Sequence, residues 1–287
     1  MIQYRKVEFY FTVSTGRCGQ ATLARLLDQH LSNAVVAFEE PQVNPRLPGP
    51  LGVFERRLRR RFLETDELLG RGKVLQAYEN SDHEALARFG RARRDWINAR
   101  VVARNARIYV DVSKHFIHGL HTYLVDNLTP ISLIRLVRDP LQNMCSYLNR
   151  SKNFRKDNNS PQCRDNELVL DSGDLADGEL YLWAWFETYL RFERLVHKSA
   201  PSKHRTIHTE DLNNAAVMRE HLRALNLLEG DLKIPAPQNT NVGIGLSPTA
   251  PGASDVALFE RFLRRIPESV LTRIDYLDTY DYRRFLS

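Results

Sequence analysis

Two segments of this chain, one around Arg17 and one around Arg138, hold residue types that bind phosphate. The first reads Thr12-Val13-Ser14-Thr15-Gly16-Arg17-Cys18-Gly19-Gln20-Ala21-Thr22-Leu23. It has the pattern of an apolar strand that ends in a polar turn and opens a helix. The amides of such a turn and the positive end of the helix make an anion site. Arg17 adds a full charge, and Gly19 lets the backbone approach a ligand closely. The second segment is Leu136-Val137-Arg138-Asp139-Pro140, followed by Ser146-Tyr147. Arg138 and Ser146 can fork onto another phosphate. Asp139 is better suited to brace the turn, because like charges repel an anionic ligand. One nucleotide with phosphates at two places would need such a pair of sites.

Taken together, the two segments resemble the sulfotransferases that use 3'-phosphoadenosine-5'-phosphosulfate (PAPS). Their 5'-phosphosulfate loop reads roughly Ser-x-x-Arg-Ser-Gly-Thr/Ser-Thr-x-Leu, and here Ser14 to Leu23 stand in its place. Their 3'-phosphate site is an Arg-Asp/Asn-Pro turn with a serine eight residues after the arginine, here Arg138 and Ser146. Glu40-Pro41 and Glu210-Asp211-Leu212 extend the resemblance over most of the chain, in the family's order. It implies that Arg17, Cys18, Gly19, Gln20, Ala21, Thr22, Arg138 and Ser146 bind PAPS. The expected reaction moves its sulfuryl group to an acceptor hydroxyl and releases 3'-phosphoadenosine-5'-phosphate (PAP). The chain departs from the family at Gln20-Ala21, which replace the usual pair of hydroxyl residues. Ala21 contributes only an amide, which leaves Gln20 or Thr22 to compensate. Thr209 stands where the family often has a tyrosine.

Sulfuryl transfer builds charge on the leaving phosphate oxygen and requires a base for the acceptor's proton; no metal is required in principle. Arg17 is the natural partner for the leaving phosphate and the sulfonyl oxygens. Three residues compete as the base. Carbohydrate-type members of the family often have Glu-Pro at this point, which puts Glu40 first and its neighbour Glu39 beside it. Cytosolic members use a histidine in the region of His115, and a neutral imidazole is a good base. Other members carry a lysine where Val112 stands, with Lys114 close by. Trp183 and Trp185 are candidates to stack on adenine, with plain core as the bland alternative. Asn239 to Gly245 resembles a loop that closes over the nucleotide.

The elements needed to position these residues are those of a three-layer α/β fold: a central parallel sheet with helices on both faces and a P-loop-like phosphosulfate loop. Runs at 7–13, 34–38, 107–112, 131–137 and 205–208 have strand character, and Leu23, Leu26, Leu27 and Leu31 recur at helical spacing. Strands alternating with helices imply a parallel sheet, whose ligands bind beyond the carboxyl ends of the strands. Residues 41–52 carry four prolines and two glycines and are expected to be irregular. Residues 54–69 are basic and helix-compatible, 149–178 are expected to form a long, partly mobile connection, and 181–196 an aromatic-rich helix. No repeat or boundary divides residues 1–287, so a single domain is expected.

Composition sets outer limits. The net charge of +6 suits anionic ligands but also suits many ordinary proteins. Three cysteines cannot all pair and lack metal-like spacing. No apolar run is long enough to span a membrane, and the N-terminus has no signal-peptide pattern, so a cytoplasmic location is expected. Arg56, Arg57, Arg59, Arg60 and Arg61 form the densest charge run. It either binds an acceptor carrying negative charge or is a solvated helix face, the latter favoured. No nucleic-acid motif is present. The acceptor is left as a carbohydrate or small-molecule natural product, and the oligomeric state is open. Two other functions fit the chain less well. A P-loop kinase would need Gly-Lys-Ser/Thr, and Gly19 is followed by Gln20 and Ala21. A non-catalytic nucleotide-binding protein draws its support from the missing loop hydroxyl.

Overall fold

A computed structural model describes residues 7–42, 46–63, 65–150, 153–236 and 250–286. Five strands, β1 (Glu8–Val13), β2 (Ala34–Phe38), β3 (Ile108–Val112), β4 (Ile131–Val137) and β5 (Lys203–His208), form one sheet in the order β2-β3-β1-β4-β5. All four pairings are parallel. The inner strands β1, β3 and β4 are mostly Val, Ile, Leu and aromatic residues because both faces of the sheet are covered there, whereas the edge strand β5 is polar and partly exposed. Every residue of β4 is buried.

Helices make the crossovers between the strands, and among the described residues three more follow the last strand. In chain order the helices are α1 (Gln20–His30), α2 (Gly49–Leu63), α3 (Thr65–Leu69), α4 (Lys73–Glu79), α5 (His83–Arg104), α6 (His121–Asn127), α7 (Pro140–Leu148), α8 (Asp177–Ser199), α9 (Ala215–Ala224), α10 (Ala253–Leu263) and α11 (Glu268–Leu271). One face of the sheet packs α1 and α9 through Leu23, Leu26, Leu27, Met218 and Leu222. The other packs α4, α5, α6 and the end of α8 through Val74, Ile97, Leu124 and Phe192. A third apolar cluster joins α7, α8 and α10 through Met144, Phe186 and Phe259. No described helix is long and apolar enough to cross a membrane.

The strand order determines where a ligand can sit. After β1 the chain moves outward to β2, returns to β3, then crosses β1 to lay down β4 and β5. The direction reverses between β1 and β4, and such a switch point leaves a crevice beyond the strand ends. The register pairs Val13 with Arg135, so the turns after Val13 and Val137 both emerge at that crevice.

One expectation is corrected. Residues 41–52 are not irregular throughout, because α2 begins at Gly49. Pro50 sits in its first turn, where the missing N–H has no intrahelical partner to lose. In the long connection expected at 149–178, the described residues 159–168 are tied to α8. Arg191 of α8, nearly fully buried, donates to the carbonyl of Ile117, to Asn159 Oδ1 and to Asn166 Oδ1 at 2.7–3.0 Å. Glu187, one turn earlier, accepts from the amides of Glu167 and Leu168 and pairs with Arg191. A buried ion pair with its remaining lone pairs and protons satisfied fixes the segment that surrounds it.

Candidate active site

The turn after β1 is held by its carbonyls. The Tyr147 hydroxyl donates to the Thr15 carbonyl. Asn143 Nδ2 donates to Gly16 O at 2.9 Å, Arg138 Nη1 to Arg17 O at 3.2 Å, and Thr209 Oγ1 to Cys18 O at 3.1 Å. Three of these donors come from α7 and the turn that opens it. In a trans peptide the N–H points opposite to the C=O. Anchoring four successive carbonyls therefore directs the amides of Gly16 to Gly19 to the other side of the turn. Gly19 is the N-cap of α1 and places no side chain on the helix end, so the first-turn amides keep the orphan donors that make an anion site.

Backbone conformation at the turn is unusual in the same place. Gly16, Arg17 and Gly19 have φ of 85°, 58° and 84°. A Cβ on Gly16 would lie 2.5 Å from the Tyr147 hydroxyl, and one on Gly19 would run into Leu212 Cδ1. Arg17 is a non-glycine residue at positive φ, which costs on the order of 1 kcal/mol and persists only where surroundings over-determine it. Here the Arg138 contact to its carbonyl and the Arg17 Nε bond to Ser146 Oγ at 3.2 Å supply that constraint.

The second segment therefore meets the first directly. Arg138 holds the Arg17 backbone and Ser146 holds the Arg17 side chain. Asp139 braces the turn: it caps α7 by accepting from Gln142 N at 2.9 Å and binds Tyr280 and Arg284 at 3.0 and 2.6 Å. Trp185 Nε1 donates to the Arg138 carbonyl at 2.8 Å, and its ring stacks on Tyr189. Trp183 Nε1 donates to Leu168 O at 2.7 Å. Both tryptophans are buried among core residues, so they are core and not a free stacking platform. Trp185 still positions Arg138.

A third guanidinium, which the motifs did not single out, joins the two. Arg150 stands just past α7, and its Nε and Nη2 are buried without a hydrogen-bond partner. The Arg17 guanidinium is held below its ordinary pKa by burial first, then by repulsion from Arg150 and Arg138. Arg150 lies in a polar stretch without periodicity; its spacing of one helical turn from Ser146 is the only sequence cue.

The remaining loop positions behave differently from one another. Cys18 is buried, its thiol donates to Gly16 O at 3.2 Å, and burial raises its pKa. Gln20 turns back to donate to Ser14 Oγ at 2.8 Å, so its amide braces the loop and does not replace a missing hydroxyl. Ala21 faces an open cleft shared with Arg25, Glu40 and Arg100, and Thr22 is buried. Lys114 lies against the loop, its Cδ 2.9 Å from where a Gly16 Cβ would be, with Nζ 3.8 Å from Asp157 Oδ2. The expected closing loop at 239–245 lies outside the described residues. Among those described, no group of three or more His, Cys, Asp or Glu is placed to hold a metal.

The three candidate bases separate. Glu40 follows Glu39, whose φ is 46°. Its carboxylate binds Arg100 Nη2 at 2.6 Å and its carbonyl accepts from Arg93 at 2.6 Å, which draws it toward α5. Burial first, then the charges of Cys18, Asp157 and Glu39, raise the pKa of the Tyr147 phenol. His115 is buried, with its amide bonded to Ser113 Oγ at 3.1 Å and its ring 5.7 Å from His118. The structure thus brings Arg17, Arg138, Ser146, Arg150 and Lys114 around one turn and directs the Glu40 carboxylate to Arg100.

No protein-family model matches the chain, and no curated protein matches it. Among solved structures the chain is similar to the sulfotransferase domain from the curacin biosynthetic pathway. The identity is 12%, the TM-score is 0.46, and the match covers 96% of this chain and 98% of that one.

Proposed function

We propose that the protein is a PAPS-dependent sulfotransferase acting on a hydroxyl acceptor. The observation that carries this is the convergence of Arg17, Arg138 and Arg150 at the switch point, with two Arg150 nitrogens buried and unpaired. Buried cationic donors left unmatched are costly unless a ligand completes them. A nucleotide with a 5'-phosphosulfate and a 3'-phosphate supplies negative charge at two places, which fits donors on two loops. The amides of the Gly16–Gly19 turn and Arg17 would hold the phosphosulfate, Arg138 and Ser146 the 3'-phosphate, and Arg150 adds a further cation between the loops. A phosphoryl-transfer reading is weaker, because Gln20 and Ala21 follow Gly19 where a lysine and a metal-binding hydroxyl would be needed.

In the reaction, the acceptor oxygen forms a bond to sulfur as the bond from sulfur to the 5'-phosphate oxygen breaks. The electron pair stays on PAP, and the acceptor proton passes to a base. Arg17 stabilises the charge on the leaving oxygen. We assign the base to Glu39, because the Glu40 carboxylate is committed to Arg100 and His115 is packed. Lys114, against the same turn, adds positive charge on the acceptor side. The acceptor is a hydroxyl of a carbohydrate or small-molecule natural product. The test is PAP release from PAPS across a panel of acceptor classes, with Arg17→Ala as the control. Acceptor-dependent release by wild type and none by the variant supports the assignment. Binding of PAPS without release on any acceptor would make the protein a nucleotide-binding protein instead.

A further inference from the structure

The arginine run lies on α2, and the other side of that helix is apolar and open. Leu51, Phe54, Leu58 and Phe62 are 67%, 65%, 45% and 75% exposed. Their spacing of three, four and four residues places them on one stripe of a helix. Leu47 extends the apolar surface at the N-terminal end. The helix carries five arginines and one acidic residue, Glu55. Arg59 lies 3.4 Å from Glu55 and Arg60 3.8 Å from Asp66, which leaves the segment strongly basic in total. A solvated helix face would carry polar residues where these four large side chains stand.

We propose that α2 docks the protein onto an anionic membrane surface. The stripe enters the boundary between headgroups and acyl chains, and Arg57 and Arg59, which flank the stripe at helical spacing, reach lipid phosphates. Such a boundary places apolar depth and negative charge side by side over a flat area, which is the arrangement α2 presents. Arginine stems lie along apolar surface while their heads reach the phosphates. The geometry also gives the docking a use. Arg60 meets Asp66 at the start of α3, Gly70 at its end packs on the His115 carbonyl, and Arg71 binds Asp157, the partner of Lys114. A relay of contacts thus links the helix to Lys114, which lies against the loop that holds Arg17. An acceptor hydroxyl held at a lipid surface would be presented to the Lys114 side of that loop. The docking itself does not depend on which group the site transfers.

The experiment is flotation of the full chain with vesicles of phosphatidylcholine alone and of phosphatidylcholine mixed with phosphatidylserine, at low and high salt. Two variants accompany it: Phe54→Ser with Phe62→Ser, and Arg57→Gln with Arg59→Gln. Circular dichroism and thermal melting establish that each variant is folded. Wild type is expected to float with the mixed vesicles, less so at high salt, and not with phosphatidylcholine alone. The phenylalanine pair is expected to abolish flotation. The arginine pair should weaken it on the order of 25-fold, about fivefold per charge. A folded phenylalanine pair that floats like wild type overturns the proposal. So does wild type that ignores mixed vesicles, including the case in which it is retained through α2 on immobilised polyglutamate, which would make the partner an acidic protein.

Discussion

Replacing Arg150 by methionine separates a ligand-binding arginine from a structural one. Methionine keeps most of the stem and removes the guanidinium. In the free protein that group has two buried nitrogens without partners and repels Arg17. Its removal should leave the free protein as stable as wild type or raise its stability by about 1 kcal/mol, since an unsatisfied buried group costs on that order. For a chain of this size that is roughly 2 °C in Tm. With ligand the sign reverses. A charge-assisted bond to phosphate is worth about 1.5–3 kcal/mol, so the Kd for PAP should rise roughly 10- to 150-fold. Calorimetry gives the Kd and thermal melting without ligand gives the stability. A PAP affinity within twofold of wild type, or a free protein destabilised by several degrees, would refute the reasoning: Arg150 would then be scaffold.

Other perturbations follow from the same geometry. Glu39→Gln should lower turnover by about 10²–10⁴-fold with PAP affinity nearly unchanged, while Glu40→Gln retains most activity; a dead Glu40→Gln beside an active Glu39→Gln in steady-state assays reverses the assignment. Tyr147→Phe removes the donor to the Thr15 carbonyl and should cost about 1–3 kcal/mol in urea unfolding together with weaker PAP binding; unchanged stability would mean the carbonyl anchor contributes little. The pH dependence of stability should be set in part by His118 and His121, whose pKa values burial holds well below the ordinary imidazole value, with Lys114 and Arg191 adding to the shift at His118 and Arg191 at His121. Below about pH 6.5 the unfolded chain binds protons that the folded one does not, so stability is full above that pH and falls by roughly 1 kcal/mol per unit for each histidine as the pH drops. His121→Gln should flatten the slope between neutral and mildly acidic unfolding curves, and an equal slope would remove His121 from the account.

What the sequence revealed follows from where its signals are local. Ile131–Val137 coincides with its apolar run, because a strand buried on both faces has little freedom in composition, and the edge strand Ala34–Phe38 was legible from its β-branched and aromatic residues. The turns at Arg17 and Arg138 were legible for a similar reason: glycines at positive φ and an Asp-Pro helix start leave marks in the residues themselves. Arg150 left no such mark, since its effect on Arg17 comes from the fold that brings the two guanidinium groups together. The divergence of Glu39 and Glu40 depends on one backbone angle and on Arg93 and Arg100, some sixty residues later. The anchoring of residues 159–168 depends on Arg191 and Glu187, which read in sequence as ordinary charges on a helix. The loop's departure at Gln20 reads differently once its amide is seen on Ser14.

The central claim is that this crevice recognises a nucleotide phosphorylated at both ends of its ribose. Calorimetric titration of the wild-type chain with PAP, adenosine 5'-phosphosulfate and ATP with magnesium tests it most directly, with Arg138→Ala titrated alongside. The account predicts tight binding of PAP, weaker binding of adenosine 5'-phosphosulfate and little binding of ATP. It also predicts that Arg138→Ala weakens PAP by about 10- to 100-fold while changing adenosine 5'-phosphosulfate much less. Equal affinity for PAP and ATP, or equal loss for both adenosine nucleotides in Arg138→Ala, would contradict it.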